Sequence, residues 1–123
     1  MSDPKKKVLI FEDNSSIQTL LKFFFQKRGV EASIHGDGSD AVALALAFSP
    51  DLIIMDYIMP GKDGVEAVTD LRQAGFSKPI VMLTSKSFPA DLERVRAAGA
   101  TACLLKPFDP AQLDAAIQPY LFA

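Results

Sequence analysis

With 123 residues, 49% of them apolar, and a formal net charge of -2, the chain has the size and composition of one globular domain rather than a disordered or fibrous protein. That balance excludes an electrostatic case for direct nucleic-acid binding; the only basic run, Lys5-Lys6-Lys7, reads as a solvated start to the first strand. No apolar segment nears the roughly 20 residues a bilayer crossing takes, no signal-peptide core follows Met1-Ser2-Asp3-Pro4, and a lone Cys103 rules out an internal disulfide. A cytoplasmic location without membrane contact is therefore expected.

Lys7-Val8-Leu9-Ile10-Phe11 is a short apolar run suited to a strand buried on both faces, and it ends in Glu12-Asp13. Asp13 or Asn14 caps the next helix. There Ile17, Leu21, Phe24 and Arg28 mark one face, Leu20, Phe23 and Lys27 the next, and Gly29 the stop. Glu31 to Ile34 is a weak strand, followed by His35, the only histidine, which has no partner residue beside it. Asp37-Gly38-Ser39-Asp40 make a turn and cap, and Ala41 to Phe48 an alanine-rich helix closed by Ser49-Pro50.

Leu52 to Met55 is a second buried-type run, and Asp56 stands where it stops. Met59-Pro60-Gly61 then turns the chain, and Asp63-Gly64 opens a helix carrying Val65, Val68 and Leu71 that ends at Gly75. Pro79 to Leu83 is a fourth strand, delivering Thr84-Ser85-Lys86. Pro89 starts a helix with Leu92 and Val95, stopped at Gly99. Thr101 to Leu105 is the last strand, ending in Lys106-Pro107. Asp109-Pro110 is a strong helix start, and Leu113, Ala116 and Ile117 form that helix's inner face up to Pro119.

Five βα units with short connections predict an α/β fold, a parallel sheet covered by helices on both faces through right-handed crossovers. In such sheets ligands bind at the carboxyl ends of the strands. Glu12, Asp13, Asp56, Thr84 and Lys106 all fall on that edge. Three carboxylates in one crevice repel one another unless a cation relieves them, and an all-oxygen set of this kind suits Mg²⁺. Metal, ammonium, hydroxyl and backbone amides together describe a clamp for a transferring phosphoryl group, and a carboxylate can accept that group as an acyl phosphate. Asp56 is best placed to do so.

Phe11-Glu12-Asp13-Asn14, Met55-Asp56 with Met59-Pro60-Gly61 and Asp63-Gly64, Leu83-Thr84-Ser85, and Gly99-Ala100 leading to Lys106-Pro107-Phe108 occur in order and at matching intervals. On these motifs the chain resembles the receiver domain of two-component response regulators over nearly its whole length. The resemblance implies a flavodoxin-like doubly wound (βα)5 fold with strand order 2-1-3-4-5 and a single receiver domain over residues 1–123. It implies that Asp56 takes a phosphoryl group from a sensor histidine kinase or histidine phosphotransfer protein. Mg²⁺ would be held by Glu12, Asp13, Asp56 and the backbone carbonyl of Ile58. Thr84 and Lys106 would bind phosphoryl oxygens, and Lys106–Pro107 would be a cis peptide. Phosphorylation would then shift the conformation that a downstream protein reads, a signalling role with at most self-catalysed phosphoryl transfer and autodephosphorylation.

The family usually carries Tyr or Phe three residues before its lysine, and Cys103 stands there instead. The aromatic relay is therefore not expected; the Ser85-to-Pro89 loop and its helix should read the switch. Cys103 itself is expected to be a small buried hydrophobe. Ile58 and Lys86 occupy the positions at which the family tunes hydrolysis, and an isoleucine predicts a phosphoryl lifetime that is not unusually short. Phe23 and Phe25, with Tyr120-Leu121-Phe122, give either extra core or a patch for self-association as a homodimer or for docking. Two other readings compete. One is a receiver-like module that binds a partner without being phosphorylated. The other is a Mg²⁺ aspartyl phosphohydrolase resembling the haloacid-dehalogenase group, which would want a second aspartate where Ile58 stands. A stand-alone regulator, a phosphorelay intermediate and a piece of a longer protein all fit the sequence.

Overall fold

A computed structural model describes residues 5–121. Five strands and five helices alternate along the chain: β1 (Lys7–Phe11), α1 (Ser15–Lys27), β2 (Glu31–His35), α2 (Ala41–Phe48), β3 (Leu52–Asp56), α3 (Gly64–Gln73), β4 (Ile80–Thr84), α4 (Pro89–Ala98), β5 (Ala102–Leu105) and α5 (Pro110–Leu121). All pairings are parallel and the order is β2-β1-β3-β4-β5, so the expected flavodoxin-like arrangement is the observed one.

Strand alternation divides the core in two. Leu9, Phe11, Ile53, Met55, Ile80 and Met82 pack with residues of α2, α3 and α4, while Val8, Ile10, Leu52, Ile54, Val81 and Leu83 pack with α1 and α5. Every residue of β3 and β4 is buried, as the unbroken apolar runs require. At the sheet edge only alternate residues of β5 face inward, and Cys103 and Leu105 are exposed. The expectation of a buried Cys103 is thereby corrected: edge position and strand parity turn it outward.

Helix ends follow from local chemistry. Asn14, rather than Asp13, caps α1, its Oδ1 accepting from Ile17 N at 3.0 Å. Asp63 Oδ1 accepts from Glu66 N at 2.8 Å. Asp109 and Gln112 bond reciprocally, at 2.8 and 2.9 Å, across the first turn of α5. Asp40 makes no side-chain cap at α2; Asp37 instead accepts from Ser39 N at 2.6 Å to shape the preceding turn. Two helical expectations are also corrected. α5 continues past Pro119 to Leu121, which extends the Leu113–Ile117 stripe into the core and offsets the lost backbone bond. On α1 it is Phe25 that turns inward beside Leu21 and Phe24, whereas Phe23 is exposed. Phe25 and Leu121 are thus core; Phe122 lies outside the described residues.

Arg72 closes the end of the sheet opposite the carboxyl edge. Its guanidinium donates to the carbonyls of Gly99 (2.9 Å), Phe76 and Lys78 (both 2.8 Å) and reaches Thr101 Oγ1 at 3.3 Å. Thr101 Oγ1 in turn accepts from Ile80 N at 3.0 Å, so one side chain joins α3 to the segments entering β4 and β5. Among the described residues no helix is long and apolar enough to cross a membrane.

Candidate functional site

β1 and β3 are neighbours in the sheet, paired Phe11 to Met55, so the residues that follow them converge at the carboxyl edge. Glu12, Asp13 and Asp56 each bring a carboxylate oxygen within 4.8 Å of the others. Glu12 is fully buried, Asp56 almost so, and Asp13 exposed. The crevice therefore has a dry floor and one wet wall.

Glu12 is held at every polar atom but one. Its N–H donates to His35 O at 2.9 Å, its carbonyl accepts from Gln18 Nε2 at 2.5 Å, and Oε2 accepts from Asn14 N at 3.0 Å. The remaining oxygen, Oε1, is buried without an aligned donor, although Lys106 Nζ stands 2.8 Å away. The same ammonium lies 3.1 Å from Asp56 Oδ1. Burial, together with the neighbouring Glu12 carboxylate, pushes the Asp56 pKa up to about 7 against the opposing pull of Lys106. A buried oxygen lacking an aligned partner and a carboxylate held back from ionising both fit a hard divalent cation, which oxygen ligands favour and which would relieve the repulsion.

The other walls come from β4, β5 and the start of α3. Thr84 is buried, and its Oγ1 accepts from Lys86 N at 2.8 Å, leaving the hydroxyl hydrogen free to donate. Lys106 N donates to Thr84 O at 2.8 Å, which carries the strand pairing on to the lysine. Lys106–Pro107 is cis. Gly64 N donates to Tyr57 O at 2.7 Å, and a Cβ on Gly64 would fall 2.2 Å from the carbonyl oxygen of Asp56. Only a glycine lets α3 start this close to the acidic crevice. Ile58, two residues past Asp56, exposes its side chain.

The family profile of the response regulator receiver domain matches residues 8–118. The chain belongs to that family. Among curated relatives it is 35% identical over 116 residues to the alkaline phosphatase synthesis transcriptional regulatory protein PhoP of Bacillus subtilis, covering 94% of this chain and 48% of PhoP. Among solved structures it is similar to the chemotaxis protein CheY4 of Vibrio cholerae, with a TM-score of 0.88, 36% identity, and coverage of 96% of this chain and 100% of that one. It is also similar to the receiver domain of the sensor histidine kinase PA1611 of Pseudomonas aeruginosa, solved with a magnesium ion coordinated in its active-site cleft; there the TM-score is 0.87, the identity 30%, and the coverage 98% and 100%. The chain spans about half the length of the first curated relatives it matches. Receiver domains are signalling modules rather than classical enzymes.

Of the residues singled out from the sequence, this receiver domain brings Glu12, Asp13, Asp56 and Lys106 into one crevice and places Thr84 and Pro107 beside them on the same sheet edge. Cys103 stays outside, exposed on β5, and partial burial raises the pKa of its thiol, so it is no activated thiolate. His35 ends β2: its carbonyl holds Glu12, while its ring bonds Ser33 Oγ at 2.9 Å and packs tilted against Phe11. Its ring serves packing rather than the crevice. Sequence reasoning missed Gln18 and Tyr57. A glutamine one turn into a helix carries no local signal until the angle between β1 and α1 is known.

Proposed function

We propose that Asp56 is the phosphoacceptor of a phosphorylation-switched receiver, supplied by a sensor histidine kinase or a histidine phosphotransfer protein and read by a downstream protein. One observation carries this reading: a nearly buried Asp56 carboxylate, its pKa raised to about 7, faces Lys106 Nζ at 3.1 Å and two further carboxylates. A carboxylate oxygen of Asp56 attacks phosphorus as the phosphorus–nitrogen bond of a phosphohistidine breaks, and the imidazole leaves with the electron pair. Lys106 and the Thr84 hydroxyl bind the equatorial oxygens. Glu12, Asp13, Asp56 and the Ile58 carbonyl would hold Mg²⁺, which when bound offsets the charge of carboxylates and phosphoryl oxygens. The magnesium reported in the PA1611 receiver supports this assignment. We take residues 1–123 as one receiver unit.

The aspartyl phosphohydrolase reading lacks its acid/base, because Ile58 is an exposed apolar side chain. Intact-protein mass after incubation with Mg²⁺ and acetyl phosphate tests the proposal. A gain of one phosphoryl group, lost in Asp56→Ala and with a chelator, is the expected result. No gain at high donor concentration would overturn it in favour of a module that binds its partner unmodified.

A further inference from the structure

Tyr57 follows Asp56 and is 4% exposed, and among the described residues no group hydrogen-bonds its hydroxyl. Such a group is rare, because burial took it from water without replacement. Its backbone is tied on both sides: Tyr57 N donates to Leu83 O at 2.8 Å, and Tyr57 O accepts from Gly64 N at 2.7 Å. Over the ring stands Lys86 Nζ, 5.6 Å from the centroid. The backbone N–H of the same lysine donates to Thr84 Oγ1 at 2.8 Å. Lys86 therefore connects a buried, unpartnered phenol with the hydroxyl at the mouth of the acidic crevice.

We propose that Tyr57 and Lys86 form a latch that sets the resting position of the Thr84 loop. The ammonium over the ring holds the segment from Thr84 to Phe88 in place. The phenol opposes it, since the resting arrangement leaves its hydroxyl without a partner and a loop position that supplies one is favoured. A phosphoryl oxygen on Asp56 that draws on the Thr84 hydroxyl draws also on the bond to Lys86 N, and so on the latch. Cys103, exposed on β5, offers no ring to perform this coupling. The two latch residues then bias one equilibrium in opposite directions. This inference rests on the phosphoacceptor reading of Asp56.

The test titrates beryllofluoride, a phosphoryl mimic, in the presence of Mg²⁺ into the full chain and two variants. Tyr57→Phe removes the unpartnered hydroxyl from the resting state and raises the half-saturating concentration about fivefold. Lys86→Met keeps the stem, loses the charge over the ring and lowers that concentration about threefold. Loss of a positive charge near an anion site would by itself weaken binding, so the sign separates the latch from simple attraction. Hydrogen exchange in the unmodified protein gives a second readout: amides from Ser85 to Phe88 exchange about threefold faster in Lys86→Met and slower in Tyr57→Phe. Shifts in one direction for both variants, or none, overturn the latch. Failure of the wild-type chain to take up beryllofluoride overturns the role of Asp56 instead, and exchange alone then decides the latch.

Discussion

Lys106 Nζ stands 2.8 Å from Oε1 of Glu12, a carboxylate with no exposure to solvent. Burial works against the ammonium, but its contact with Glu12 and the charge of Asp56 outweigh that and leave its pKa above the ordinary lysine value. The lysine thus serves the resting crevice as its cation, and it competes with any metal for the same oxygens. Lys106→Met should bind Mg²⁺ about threefold more tightly while losing tenfold or more in affinity for beryllofluoride, on the order of one charge-assisted contact. Isothermal titration with each ligand separates the two effects.

The raised pKa of Asp56 makes stability fall with pH. The folded chain holds this proton up to about pH 7, whereas the unfolded chain releases it near 3.8. Between those values the folded state binds more protons, so stability is full below the lower value and declines as pH rises through the window. Thermal melts from acid to mildly alkaline pH should show this decline, and added Mg²⁺ should flatten it by favouring the ionised form. Asp56→Asn should remove this contribution to the slope and raise the melting temperature by about 5 °C at alkaline pH.

Arg72 lies at the far end of the sheet and satisfies three carbonyls and a threonine hydroxyl. Truncating it strands acceptors in a partly buried site. Arg72→Ala should cost about 3 kcal/mol in urea denaturation. Arg72→Lys should recover little of this, because an ammonium lacks the planar fork that spans Gly99, Phe76 and Lys78. Phosphorylation by acetyl phosphate below the unfolding transition should persist in both.

Ile58 exposes an apolar side chain, 57% accessible, two residues past the proposed acceptor. It cannot orient an attacking water. The acyl phosphate on Asp56 should therefore last for minutes or longer, and hydrolysis within seconds would contradict this. Ile58→Asn supplies a hydrogen-bonding amide there and should speed release of inorganic phosphate by about threefold to tenfold.

Cys103 faces solvent from the edge strand and carries a thiol of raised pKa. It offers no ring to bury when Thr84 moves. Cys103→Ala should leave phosphorylation-dependent partner binding within about twofold of the native chain, as an exposed substitution away from the crevice should. Loss of that binding would restore position 103 to the switch.

What can be read from residue order alone is whatever short-range physics dictates. Runs such as Leu52 to Met55 can satisfy their burial only as central strands, Asp109-Pro110 can only start a helix, and Asp56 before Met59-Pro60-Gly61 must stand at a strand's end beside a turn. Those constraints, with the matching motifs, sufficed for the fold and for the convergence of Glu12, Asp13, Asp56, Thr84 and Lys106. The tertiary structure decided what depends on angles between elements. Phe25 rather than Phe23 enters the core because α1 sits rotated on the sheet; α5 outlasts Pro119 because Leu121 has apolar surface to cover; Cys103 faces out because β5 is an edge. Gln18 behind Glu12, Arg72 across two loops and Lys86 above Tyr57 are contacts between groups whose sequence separation carries no periodic signal. Local propensity acts over a few residues, whereas these contacts exist only once the packed sheet has brought its loops together.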